Sequence, residues 1–219
     1  MTEPIMQKDL VVLVSDRNME YAVKDLLMRI QSLGIRQLTI DCYAHPEHDP
    51  GCLLRGHDFL RPFINKFAHA LVILDYDGCG QEKNDREILE RQIESRLIES
   101  GWGNRAAAII IEPELEIWVW SHSRQVDLVL GWFGREPDMR TWLMQEGYIR
   151  TRLAKPAQPK KVFEQVLKLA GKARSSSIFY QLAGTVGLER CIDPAFNKFK
   201  TILRTWFPAN IKGSDSDGC

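Results

Sequence analysis

Four short runs of apolar, largely β-branched residues, separated by stretches with helical spacing, limit this chain to very few architectures. They are DLVVLV at 9–14, the alternating QLTIDCY at 37–43, ALVIL at 70–74 and AAAIII at 106–111. Short, nearly continuous apolar runs suit strands buried on both faces. Between the first two, Met19, Ala22, Val23, Leu26, Leu27, Ile30 and Leu33 recur at helical spacing until Gly34 stops them. After the second run, His45, Pro46, Asp49, Pro50 and Gly51 read as a polar loop, and Pro62 opens a short helix. After the third, Asn84 or Asp85 caps a helix running to Ser100 and ended by Gly101, with Glu87 and Arg91 paired on its outer side. Strand and helix alternate, which calls for an α/β fold: a mainly parallel four-stranded sheet with flanking helices.

Beyond Glu112 only the helical period persists, over 114–120, 125–132, 139–146, 160–173, 176–186 and 194–206. Pro156 and Pro159 make 150–160 a rigid extended connection. The expected organisation is an α/β core over 1–122, a helical C-terminal region over 123–212 packed on it, and a disordered tail over 213–219.

Five scattered cysteines without a CxxC pair read as reduced thiols. The N-terminal stretch lacks a signal-peptide pattern and no apolar run approaches the ~20 residues that span a bilayer. The expectation is a cytoplasmic protein without a membrane partner. Net charge is zero but uneven: residues 1–147 hold 16 Lys/Arg against 24 Asp/Glu, a net of −8, and residues 148–212 hold 13 against 3, a net of +10. The basic third either meets phosphate or an acidic partner, or faces the acidic body of its own chain.

In parallel α/β sheets ligands bind beyond the carboxyl ends of the strands, and here those ends are acidic. The first strand runs into Ser15-Asp16 and then Glu20, the third into Asp75-Tyr76-Asp77, and the fourth into Glu112-Pro113-Glu114-Leu115-Glu116. Gathered carboxylates repel unless protons or a cation neutralise them, and Mg²⁺ suits such oxygen donors. Alternatively each acid serves a local helix N-terminus. Other constellations are weaker. His45, His48 and Cys52, with Asp49 between, have irregular spacing for zinc, and His57, His69 and His122 are isolated. Trp118, Trp142 and Trp206 lie among apolar residues at helical spacing and read as core. DGCGQEK lacks the Gly-Lys-Ser/Thr of a P-loop, no G-x-S-x-G occurs, and the serines at 175–177 read as a helix cap.

An acid after the first strand and a D-x-D after the third resemble the pattern of Toprim domains, found in topoisomerases, primases and overcoming-lysogenization-defect nucleases. LVSDRNMEYAVKDLL, EPELEIWVW, KPAQPKKVFEQVL and RSSSIFYQLAGTVGLERCIDPAFNKF extend the likeness over nearly the whole chain. They resemble a family of bacterial Toprim-like proteins of anti-phage defence islands, and the whole is similar to the small Toprim-like component of methylation-associated defence systems. The resemblance implies that Asp75 and Asp77 are the metal-binding D-x-D, that Glu116 is the acid of an E-x-W-like segment, and that Lys155 belongs to its K-P segment. The usual Toprim glutamate is replaced by Ser15-Asp16. The implied chemistry is Mg²⁺- or Mn²⁺-assisted phosphoryl transfer. Asp75, Asp77, Glu114 and Glu116 would be metal ligands, Asp16 or Glu20 base or third ligand, and Lys155 or Arg174 would neutralise a phosphate oxygen. The implied partners are other proteins of the defence system, and nucleic acid through the basic C-terminal region. Three functions are open at this point: a metal-dependent nuclease, a non-catalytic subunit that binds a protein or nucleic acid, and a small-molecule phosphohydrolase.

Overall fold

The computed structural model describes residues 7–121, 123–188 and 191–209. The expected tail over 213–219 and His122 lie outside them. Four strands, β1 (Lys8–Val14), β2 (Ile40–Ala44), β3 (Phe67–Asp75) and β4 (Ala106–Ile111), form one all-parallel sheet in the order β2-β1-β3-β4. The pleat sends alternate residues to opposite faces. Val12, Val14, Leu71, Ile73, Ile109 and Ile111 enter one core, and Val11, Leu13, Val72, Leu74, Ala108 and Ile110 enter the other. Both faces are covered, which is why these strands read as continuous apolar runs.

On the second face lie α3 (His48–Leu60) and α4 (Arg86–Leu97). The first face carries α1 (Arg17–Met28) and the short α2 (Ile30–Leu33). The C-terminal helices cover the same face: α5 (Glu116–Val119), α6 (Arg124–Leu130), α7 (Met139–Gln145), α8 (Pro159–Ala170), α9 (Ser176–Thr185) and α10 (Pro194–Trp206). Val12 and Ile109 share that core with Phe163, Phe179 and Phe199. The C-terminal third is therefore one lid of the sheet.

Several expectations are corrected. The segment 45–51 is not a loop throughout, because α3 begins at His48 with Pro50 in its first turn, where a missing N–H costs nothing. Gly51 lies inside that helix because close approach requires it: a Cβ there would meet Nδ1 of His45 at 2.1 Å. The helix expected over 19–33 breaks at Arg29, whose ψ of 54° leaves the helical region, and Gly34 (φ 72°) ends the short second piece. β2 begins three residues later than 37, since Asp9 holds the N–H and hydroxyl of Thr39 at 2.7 and 2.8 Å. Glu87 pairs with Arg86 at 2.5 Å, not with Arg91. Ser175 sits at the N-cap of α9, but its hydroxyl meets that of Ser177 at 2.9 Å and caps no backbone group.

The tryptophans pack as expected. Trp118 meets Phe196 edge-on at 5.2 Å, Trp142 lies against Trp132 at 4.8 Å, and Trp206 stacks on His69 at 4.4 Å. Among the described residues no helix is long and apolar enough to cross a membrane.

Candidate functional site at the carboxyl ends of the strands

From β1 the chain proceeds outward to β2, and from β3 it proceeds the opposite way to β4. The cleft between the carboxyl ends of β1 and β3 is thus the topological switch point, where open α/β sheets place ligands. Ser15-Asp16 and Asp75 stand on its two sides.

Asp75 is the centre of the site. Its Oδ1 accepts the N–H of Leu115 at 2.8 Å, which ties the end of β3 to the segment after β4. Its own N–H donates to Asp49 Oδ1 at 2.8 Å. The residue as a whole keeps partial exposure, but its carboxyl group is enclosed, and the titration follows the carboxyl. Burial first, then the carboxylates of Asp49, Glu116, Asp16 and Glu114, hold it well above the usual carboxylate range. Burial likewise raises Asp49 and Glu116, the latter opposed by Arg174.

Asp16, Asp75, Glu114 and Glu116, acids that the sequence singled out on three different strand ends, do converge. Asp77 is exposed, with its N–H donating to the carbonyl of Pro113 at 2.9 Å. Glu20 lies a turn along α1, paired with Lys24 at 2.5 Å. Lys155 folds back on α5, donating to the carbonyl of Ile117 at 2.7 Å.

The converging acids are individually satisfied. Asp16 caps α1, accepting the N–H of Met19 at 2.8 Å. Glu114 accepts the N–H of Lys160 in the first turn of α8 at 3.1 Å, with the Lys160 ammonium 3.6 Å from its other oxygen. Glu116, 2 % exposed, is held by Arg174 at 2.7 Å, and the same guanidinium reaches Glu164 at 3.1 Å. Ser15, directly after β1, is 2 % exposed, with its hydroxyl 3.8 Å from the sulfur of Met19.

This arrangement decides the fit to a divalent ion. The donor atoms are hard oxygens of the kind Mg²⁺ takes. Their lone pairs, however, are directed at a helix N-terminus, a backbone N–H, an ammonium and a guanidinium. Among the described residues no group of three or more His, Cys, Asp and Glu side chains is disposed to hold a metal. The four expected ligands do not close on a common point as they stand. The zinc alternative fails for the same reason. Cys52 is buried in the core with its thiol pushed well up by that burial, His45 accepts the N–H of Glu47 at 3.1 Å, and His48 lies 3.2 Å from the carbonyl of Ser15. The Gly-rich turn after Asp77 is closed by its own chain, since Glu82 accepts the N–H groups of Gly78 and Gly80 at 2.9 and 3.0 Å.

Asp49 is the site residue that the sequence placed in a polar loop and a zinc alternative, not with the acids of the strand ends. Its signal was Asp-Pro, a pair frequent at helix starts, masked by the neighbouring Pro and Gly that suggested a loop.

Several charges of the basic C-terminal third meet groups of the same chain. Besides Lys160 and Arg174, Lys198 holds Glu90 and Glu94 at 3.0 and 2.9 Å. Arg152 holds Asp138 at 2.9 Å, and Arg204 donates to the carbonyl of Leu33 at 2.7 Å. A cavity of about 960 Å³ lies between α1, α5, α9 and α10, with an apolar wall that includes Leu115, Trp118, Phe179 and Leu182. Compared with models of protein families, with curated proteins and with solved structures, the chain matches none.

Proposed function

We propose that this chain is a non-catalytic Toprim-like subunit that binds a protein partner within a multi-protein bacterial anti-phage defence system. The observation that carries the reading is the Ser15-Asp16 step. A Toprim enzyme needs a free acid after the first strand to move a proton; here Ser15 is buried and Asp16 is engaged as a helix cap. Glu114 and Glu116 are compensated in the same spirit by Lys160 and Arg174, so the acidic edge works as an internal joint between the sheet and its helical lid. A protein partner is favoured over nucleic acid because Lys160, Arg174 and Lys198 of the C-terminal third are already paired with acids of the same chain. The defence setting and a cytoplasmic location rest on the motif resemblance and on the unpaired cysteines.

A second reading, a Mg²⁺- or Mn²⁺-dependent nuclease or phosphoryl-transfer enzyme, has one observation in its favour: the crowding of carboxylates around Asp75. It requires Arg174 and Lys160 to release their acids. Incubation of the purified protein with plasmid, linear and single-stranded DNA and with RNA, in Mg²⁺ or Mn²⁺, separates the two. The subunit reading expects no cleavage, no metal-dependent rise in melting temperature, and a stable complex with the product of a neighbouring gene. Cleavage that disappears in the Asp75→Ala, Asp77→Ala double variant overturns it in favour of the enzyme.

A further inference from the structure

The two edges of the sheet are treated differently. On β4 the register directs the N–H groups of residues 106, 108 and 110 away from β3. Two of these are capped from α4: Glu94 accepts the N–H of Ala108 at 3.1 Å and Glu90 that of Ile110 at 2.9 Å. Lys198 of α10 then locks both carboxylates in place. That edge is closed to another strand.

On β2 the bonds from Leu10 N–H to the Thr39 carbonyl and from His45 N–H to the Val14 carbonyl fix the opposite phase. Residues 39, 41, 43 and 45 bond inward to β1, and the N–H and C=O groups of Ile40, Cys42 and Ala44 point outward. Among the described residues no cap comparable to Glu90 and Glu94 reaches them. An edge of this kind is a template for another strand.

We propose that β2 is a homodimerisation strand, pairing antiparallel with β2 of a second copy about a two-fold axis at Cys42, so that two four-stranded sheets become one. The outward groups and the side chains between them together select the register. Cys42 faces Cys42 of the second copy and Ile40 faces its Ala44, each pair exchanging both N–H···O bonds. The same register places Asp41 opposite Tyr43 of the second copy, so no like charges oppose each other. Centring the axis on Asp41 would set the two Asp41 side chains against each other, and centring it on Tyr43 would put Ile40 opposite Pro46, which has no N–H to give. The rim is balanced too: Glu20 and Lys24 of α1, both close enough to Cys42 to act on its thiol, supply one charge of each sign. Pro46 and the engaged Thr39 bound the ladder at its ends. A second copy is the occupant the strand itself specifies, because the complementarity is internal to IDCYA.

The test is sedimentation velocity across low to high micromolar concentration, with amide exchange of Ile40, Cys42 and Ala44 followed in parallel. A dimer is expected, with those three amides protected at high concentration and exchanging faster on dilution. Ile40→Pro removes one outward N–H that makes no bond within the monomer, and should weaken dimerisation by about tenfold or more; an unchanged circular dichroism spectrum and melting temperature at low concentration certify its fold. A protein that is monomeric throughout overturns the proposal, as does a dimer whose strength Ile40→Pro leaves unchanged. Protection of the three amides in a monomer also overturns it, since it would mean that another part of the same chain covers the edge.

Discussion

Glu90 Oε1 accepts the N–H of Ile110 at 2.9 Å while Arg86 and Lys198 hold the two oxygens of the same carboxylate at 2.9 and 3.0 Å. A glutamate 3 % exposed thus joins α4, the outer edge of β4 and α10. Removing it would leave a buried N–H without its acceptor and take one of two partners from each cation, Arg86 keeping Glu87 and Lys198 keeping Glu94. Glu90→Ala is expected to cost about 3 kcal/mol in urea unfolding, and Glu90→Gln, which keeps the acceptor for Ile110, about 1 kcal/mol. Equal losses in the two variants would show that charge, not the edge cap, is what matters.

The Asp75 carboxyl is held well above the usual range by burial and by the four acids around it. A folded-state pKa raised above the unfolded value gives stability that is full at low pH and is lost as pH rises through the folded pKa. Asparagine keeps the acceptor for Leu115 without that titration. Asp75→Asn should therefore melt at or above the wild-type temperature at neutral pH, with the gap closing in acid. A marked loss of stability at neutral pH would instead mean that the ionised form is needed there.

Arg174 and Glu116 form the joint between α5 and the segment before α9, 2.7 Å apart with the acid almost wholly enclosed. Arg174→Ala should cost about 2–3 kcal/mol because it strands a buried carboxylate. Adding Glu116→Gln should recover most of the loss, since a neutral amide needs no counter-charge. A double-mutant cycle by thermal or urea unfolding measures the coupling. Additive losses would argue against the joint. A Mg²⁺-dependent rise in melting temperature appearing only in Arg174→Ala would favour the enzyme reading.

The strands were legible because a sheet covered on both faces demands apolar residues at every position, so 9–14, 70–74 and 106–111 announced themselves. Asp16, Asp75, Glu114 and Glu116 were legible as neighbours because parallel strands bring all their carboxyl ends to one side. Their partners were not legible. Arg174 lies 58 positions from Glu116 and Lys198 lies 108 from Glu90, and no periodicity reports contacts at such separations. Nor did charge asymmetry say whether the basic third faced outward or its own acids. The start of α3 was missed because Pro50 and Gly51 are breakers in isolation, and only packing shows why this helix tolerates them.

Gly51 is where that packing is tightest. A Cβ there would lie 2.1 Å from Nδ1 of His45 and 2.8 Å from Cβ of Glu47. His45 cannot swing away freely, being 6 % exposed, in contact with the ring of Phe59 at 5.5 Å and bonded to the N–H of Glu47. The first turn of α3 can therefore sit against the end of β2 only if position 51 has no side chain, and that turn carries Asp49 to the N–H of Asp75. Gly51→Ala should displace the turn, cost about 2 kcal/mol by overpacking and speed amide exchange at Asp75. A variant of wild-type stability with unchanged Asp75 exchange would show that His45 yields and that the glycine is not what seats Asp49.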